Sequence, residues 1–364
     1  MDLVWLLELI GEAETLLVCG MVIGLVFGML AQRTGFCTRS AVIALVDGTN
    51  RATLSLWLIA FAVALAGSQA LLATGLVDLS ETRFFATPQS LSGAAAGGAL
   101  FGVGMMLARG CASRLVVLGA SGNIRAIVTV AILAATAWAA IEGFASPLRF
   151  AVNGLWSTAW AGGNDIAMLA GFTGQSGLIV GAVLALAAIV LSVRAGFGLA
   201  ASAAGVAIGL TIPAGWYLTY SLSQQVFEPV QAMSLTYIAP LAGLAGFATD
   251  GDSSRLLTAE TGFVAGTAIG ALAAALASRS FSVETFASRG AAPLWRYVAG
   301  GLLMGLGGVM AAGCTIGAGF TGGSVLALAS LLALLSMIAA AAATHRLLDS
   351  TKSTWRNTHV MPAE

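Results

Sequence analysis

The stretch GGALFGVGMMLARGCAS, Gly97 to Ser113, returns later in the chain as GGLLMGLGGVMAAGCTI, Gly300 to Ile316. At one constant offset Gly97, Gly98, Gly102, Gly104, Gly110 and Cys111 fall on Gly300, Gly301, Gly305, Gly307, Gly313 and Cys314, and Gly119 falls on Gly322. An apolar, glycine-rich run that breaks at Gly-Cys, once in each half of a hydrophobic chain, is the pattern of paired discontinuous membrane helices. The two breaks are expected to form the two ends of one substrate site.

Composition sets the class. The 364 residues are 58% hydrophobic and only 9% charged, with a mean hydropathy of +0.93. So little charge cannot clothe a soluble surface of this size, so the chain is expected to be an all-α, multi-pass membrane protein in contact with lipid. The expected organisation is a short amphipathic lead-in over 1–15, one integral domain over 16–345 and a polar cytoplasmic tail over 346–364. Within the domain, two pseudo-symmetric halves are expected at about 16–143 and 177–345, with discontinuous helices and re-entrant loops meeting at a central site. Sixteen basic residues balance sixteen acidic ones, which leaves no basic surface for nucleic acid. The acidic N-terminus, with Asp2, Glu8, Glu12 and Glu14, lacks the basic start of a cleavable signal peptide.

The four cysteines, Cys19, Cys37, Cys111 and Cys314, form no CxxC pair, and the two histidines, His345 and His359, lie in the C-terminal tail. No metal, haem or iron–sulfur site and no cofactor is expected from such spacing. Spans are predicted at about 16–32, 52–74, 91–108, 124–141, 177–193, 205–221, 232–247, 261–277, 300–316 and 323–343. A long exposed loop is expected over 142–176, with Trp156 and Trp160 at the interface. GVAIGLTIPAGWYLTYS, Gly205 to Ser221, overlays GLVFGMLAQRTGFCTRS, Gly24 to Ser40, and puts Tyr217 or Leu218 at the position of Cys37. Arginines cluster at 33–51, at 279–296 and in the tail, so the positive-inside rule places the N-terminus outside and the C-terminus in the cytoplasm.

A backbone break at membrane depth is tolerated only where its amides and carbonyls are buried in protein or line a wet cavity. Thr38, Ala112-Ser113 and Thr315 follow the breaks and resemble N-caps of short helices. Free amides and the dipole at such a helix start favour an anion. A thiol adds a soft, polarisable, weakly hydrogen-bonding group. Bare amides with thiols and no carboxylate would suit a soft anion, such as a sulfur oxyanion with a terminal sulfur. Gly35, Gly110 and Gly313 supply the turning backbone. Arg109 and Arg114 flank Cys111 as interfacial anchors or as an anion-attracting vestibule. Cys19 reads as a packing residue.

RTGFCTRSA, ARGCASRLVVLG and AAGCTIGAGFTGGS resemble the three cysteine motifs of the YeeE/YedE family of membrane proteins, which includes bacterial thiosulfate importers and members linked to selenium metabolism. The resemblance runs from about Gly20 to Ser330. It implies an hourglass-like inner-membrane fold and a non-enzymatic function, import of a small sulfur-containing anion such as thiosulfate. It also implies that Cys37, Cys111 and Cys314 line the path and hand the ion along by transient S–H···S hydrogen bonds. A cytoplasmic protein that consumes the imported sulfur is a candidate partner. The rival readings are a carrier of selenium species or other sulfur solutes, and a thiol-based membrane redox enzyme or sensor. Against the last, no His, Asp or Glu stands beside the motifs to serve as an acid–base partner.

Overall fold

The computed structural model describes 4–49, 51–169, 198–226, 230–288 and 292–358, with a few positions between 179 and 190. The span predicted at 177–193 falls largely outside the described residues. Among the described residues the protein is helical and without strands, and eight helical segments are long and apolar enough to cross a membrane. It is a multi-pass membrane protein.

The first half comprises α1 (Val4–Ile10), α2 (Glu12–Thr34), α3 (Thr38–Asp47), α4 (Arg51–Ala73), α5 (Leu91–Leu107), α6 (Ala112–Ala120) and α7 (Ile124–Ile141). Two short helices follow, α8 (Ser146–Asn153) and α9 (Ile166–Leu169). The later part holds α10 (Leu199–Ser223), α11 (Ile238–Asp250), α12 (Ala259–Ala277), α13 (Leu294–Met310) and α14 (Leu328–Thr358). Side-chain oxygens start several of these helices. Ser90, Asn123 and Thr258 accept from the N–H groups of Gly93, Ala126 and Thr261 at 2.8, 3.2 and 3.1 Å, satisfying donors that lipid could not.

Glycine decides which helices meet. A Cβ at Gly20, Gly24 or Gly28 of α2 would collide with the carbonyl oxygen of Ala259, Phe263 or Thr267 on α12. A Cβ at Gly262, Gly266 or Gly270 of α12 would collide with that of Leu17, Met21 or Leu25 on α2. Both series rise together, so the two helices run parallel at backbone contact. Without a hydrophobic driving force in lipid, this closeness supplies the association, through dispersion and Cα–H···O contacts. α5 and α13 cross in the opposite sense. Gly97 lies against the Gly307 carbonyl, and Gly104 against that of Gly300. Flanking them, Gly98 and Gly102 press on Ala333 and Met337 of α14, while Gly301 and Gly305 press on Thr129 and Leu133 of α7.

These contacts fix two ends of the molecule. At the first end, Leu91 N–H donates to the Trp156 carbonyl, and Leu328 N–H to that of Asn164. At the second end, Ile124 N–H donates to the Glu284 carbonyl, Arg125 pairs with Glu284, and His345 meets Asp47 at 2.9 Å. Also at the first end, Arg255 pairs with Glu142 at 2.6 Å and with Asp250 at 2.9 Å. The Arg255 guanidinium holds the Glu142 carboxyl below the usual carboxylate range.

Several sequence expectations need correction. The span expected at 232–247 is a 13-residue helix, α11, preceded by a non-helical run over 230–237. α10 continues unbroken through Tyr217 and Leu218 to Ser223, so neither residue opens a helix. Of the loop expected over 142–176, residues 142–169 carry two short helices and are pinned from within, while 170–176 lie outside the described residues. Buried Asn164 donates to the Phe84 carbonyl at 2.6 Å and accepts from Ala329 N–H at 2.9 Å. His345 is not in a tail but 9% exposed on α14, whose backbone is helical to Thr358.

Candidate functional site

Each motif cysteine opens a helix. Gly35 closes α2 in the left-handed region at φ 69°, Phe36 turns inward, and Cys37 is the extended residue ahead of α3. Cys111 stands likewise ahead of α6, and Cys314 ahead of a short π-wound helix, Thr315–Gly322. The caps are therefore the cysteines themselves, and not Thr38, Ala112-Ser113 or Thr315 as the sequence suggested. At Cys314 the sulfur accepts from the Gly317 N–H at 3.5 Å. Sulfur is a weak acceptor, so an anion presented to these helix starts would compete well for their amides.

The residues before the two Gly-Cys pairs repeat one irregularity. Arg109 has φ 63° and Ala312 has φ 55°, positions that correspond between the halves. A side chain in the left-handed region costs about 1–2 kcal/mol, and both breaks keep it. Ala312→Gly should therefore leave the break in place and raise stability by up to about 1 kcal/mol. The check is the thermal midpoint in detergent.

Two of the breaks meet. The Cys37 and Cys111 sulfurs lie 3.7 Å apart, and Cys111 is 3.5 Å from the Ser113 hydroxyl. Exposure is 4% at Cys37, 1% at Cys111 and 0% at Cys314. Aromatic rings wall the region. Phe36 and Trp57 both pack edge-on against Phe320, at 5.7 and 5.3 Å between centroids. Trp57 Nε1 donates to the Thr38 hydroxyl at 3.1 Å, which anchors the start of α3. Beside Cys314, the Thr315 hydroxyl is fully buried and has no hydrogen-bond partner among the described residues. An orphaned buried hydroxyl is costly unless something polar visits it.

Cavities approach from both ends. One of about 360 Å³ at the first end is lined by Arg83, Gln89, Arg149 and Asn153 and reaches Gly313. Another of about 420 Å³ at the second end is lined by Arg109, Arg125 and Glu284. Of the two arginines expected to attract anions, Arg109 faces this second cavity, and Arg114 donates to the Ala31 carbonyl at 3.2 Å. Arg83 and Arg149 were not read from the sequence, because they sit far from any cysteine motif. Arg83 donates to the Ala312 carbonyl at 3.0 Å and so grips the break before Cys314.

Cys19 stands apart from the other thiols. It packs with Leu16, Leu222 and Ala259 in a separate apolar cluster.

The sulphur transport family matches residues 33–343, which include all three breaks. The chain belongs to this family, the YeeE/YedE family. Among curated proteins no match to the chain is found. Membership in the YeeE/YedE family makes the protein a sulfur-compound transporter by family, in keeping with its membrane-spanning helices. Among the described residues no group of His, Cys, Asp and Glu could hold a metal ion.

Proposed function

We propose that the protein imports a small sulfur-containing anion, thiosulfate foremost, across the bacterial inner membrane. The observation that carries this reading is the 3.7 Å approach of the Cys37 and Cys111 sulfurs from two separate helix breaks. Adjacent thiols can each offer an S–H to a terminal sulfur and release it again, since S–H is a weak donor. Conduction needs such weak, repeated contacts, because a tight site would not let its ion go. Cys314, with the Gly317 amide and the orphaned Thr315 hydroxyl beside it, is the third station. Gly35, Gly110 and Gly313 turn the chain at each one.

The reciprocal contacts of Gly97 with Gly307 and of Gly104 with Gly300 support two halves related by a pseudo-two-fold axis in the membrane plane. Under that relation 16–345 is one transport domain that neither half completes alone. Among the described residues, Arg33, Arg39, Arg51, Arg109, Arg114, Arg125, Arg279, Arg296 and Arg346 gather toward the second end, against Arg83, Arg149 and Arg255 at the first. The positive-inside rule then turns the second end to the cytoplasm and the start of α2 to the outside. The ion would enter past Arg83 and Arg149, pass Cys314, Cys111 and Cys37, and leave beside Arg109. A cytoplasmic sulfur-handling protein would receive it there.

The test is uptake of labelled thiosulfate into proteoliposomes, with sulfate and selenite as competitors. Uptake suppressed by unlabelled thiosulfate and indifferent to sulfate is the expected result. No thiosulfate uptake, with selenite carried instead, would overturn the assignment.

A further inference from the structure

Among the described residues, three of the four short helices that open inside the protein start at a cysteine, and the fourth, α11, starts at Tyr237. Its residue number gives no hint of this, because the sequence overlay points to Tyr217 or Leu218. The contacts do. α11 packs on α7 as α3 packs on α14, and α10 on α4 as α2 on α12. In this exchange of halves α11 corresponds to α3, and Tyr237 to Cys37.

From Ala232 the chain leading to Tyr237 is irregular and enclosed. Ser234 and Leu235 are 0% exposed and Thr236 is 1% exposed. Its polar groups are satisfied one by one. Met233 N–H donates to the Thr219 hydroxyl at 3.0 Å, Ser234 donates to the Ile212 carbonyl at 2.8 Å, and Thr321 donates to the Leu235 carbonyl at 2.7 Å. Non-helical backbone at membrane depth is tolerated where it is buried in protein or lines a wet cavity. Here it lays Thr236 against Gly317, whose N–H donates to the Cys314 sulfur. The ring of Tyr237 lies 6.2 Å from that of Phe27, which in turn packs edge-on against Phe36, the neighbour of Cys37.

The phenol has a defined role in its resting hydrogen bond. Its oxygen is 2.9 Å from the Thr267 hydroxyl. Thr267 already gives its proton to the Phe263 carbonyl at 2.7 Å, so Tyr237 is the donor. That proton can be redirected without stranding Thr267, which keeps its own bond. A redirectable O–H thus stands at the helix start that lacks a thiol, and the orphaned hydroxyl of Thr315 lies beside Cys314.

We propose that Tyr237 is a specificity-determining residue of the pathway, whose O–H turns from Thr267 to an oxygen of the passing anion while the cysteine thiols address its sulfur. Thiols are soft, weak donors, and a phenol is a hard, strong one. The combination selects an anion with a sulfur at one end and oxygens at the other, and disfavours sulfide-like ions that carry no oxygen. The inference rests on the transport reading above.

Thiosulfate uptake by wild type, Tyr237→Phe and Thr267→Val tests it. Tyr237→Phe should raise the half-saturating concentration roughly tenfold or more, the scale of one hydrogen bond to a charged group. Its thermal midpoint should match that of wild type, and hydrosulfide should compete better against it. Thr267→Val, which removes the resting partner together with its bond to the Phe263 carbonyl, should not raise the half-saturating concentration. Wild-type uptake with Tyr237→Phe unchanged overturns the inference alone. A parallel rise in both variants with a lowered thermal midpoint assigns Tyr237 a packing role and also overturns it. Absence of wild-type thiosulfate uptake overturns the transport reading first, and this inference with it.

Discussion

Replacement of Cys111 by alanine should reduce thiosulfate uptake to the background of vesicles without the protein, a loss of at least roughly fiftyfold. Cys111 touches both another thiol and a hydroxyl, with Cys37 at 3.7 Å and Ser113 at 3.5 Å. Removing it breaks the sequence of donors at its middle. The fold should survive, because deleting one buried sulfur in a well-packed site costs about 1–2 kcal/mol. Cys19→Ala supplies the control. It deletes the same atom from an apolar cluster remote from the breaks, at a similar cost in stability and with uptake retained. Equal uptake in wild type and Cys111→Ala would sink the relay.

The second large effect should fall on assembly. Gly266→Leu forces a side chain into the Met21 carbonyl, where α2 and α12 touch through bare backbone. Neither helix can yield without opening the contacts at Gly20, Gly24, Gly28, Gly262 and Gly270. The expected destabilisation is about 3 kcal/mol or more, the upper range of overpacking in cores. Fluorescence-detected size exclusion should show the folded peak lost or strongly diminished. Gly198→Leu, at the start of α10 where an added Cβ meets nothing among the described residues within 4 Å, should leave that peak in place. A folded Gly266→Leu protein would mean that this glycine seam does not hold the helices together.

What the sequence made legible follows from how locally each feature is encoded. The glycines of α2 and α12 recur at intervals of four, and the Gly-Cys breaks recur at one offset, so packing faces and helix starts could be read as patterns. The same patterns located Cys37, Cys111 and Cys314, but not the meeting of Cys37 with Cys111. That meeting depends on where α2 and α5 stand in the bundle, and spacing along the chain does not carry it. Tyr237 escaped because an insertion lengthens α10 and displaces the equivalent helix start beyond any gapless overlay. Its signal was present in the polar run Ser234, Thr236 and Tyr237, followed by Pro240, inside what otherwise reads as an apolar span. Arg83 and Arg149 were invisible for a different reason. They enter their cavity from loops and a short helix at the first end, and only the fold brings them beneath Gly313.

The parallel seam between α2 and α12 also constrains how the protein is made. α2 is among the first helices to leave the ribosome, and its partner is encoded more than half a chain later. At ordinary synthesis rates some tens of seconds separate them. Throughout that interval the grooved face of α2 has only lipid or a chaperoning insertase to cover it. Nascent chains that stop before Thr261 should therefore be recognised as orphans and degraded, although every hydrophobic span made by then can already be inserted.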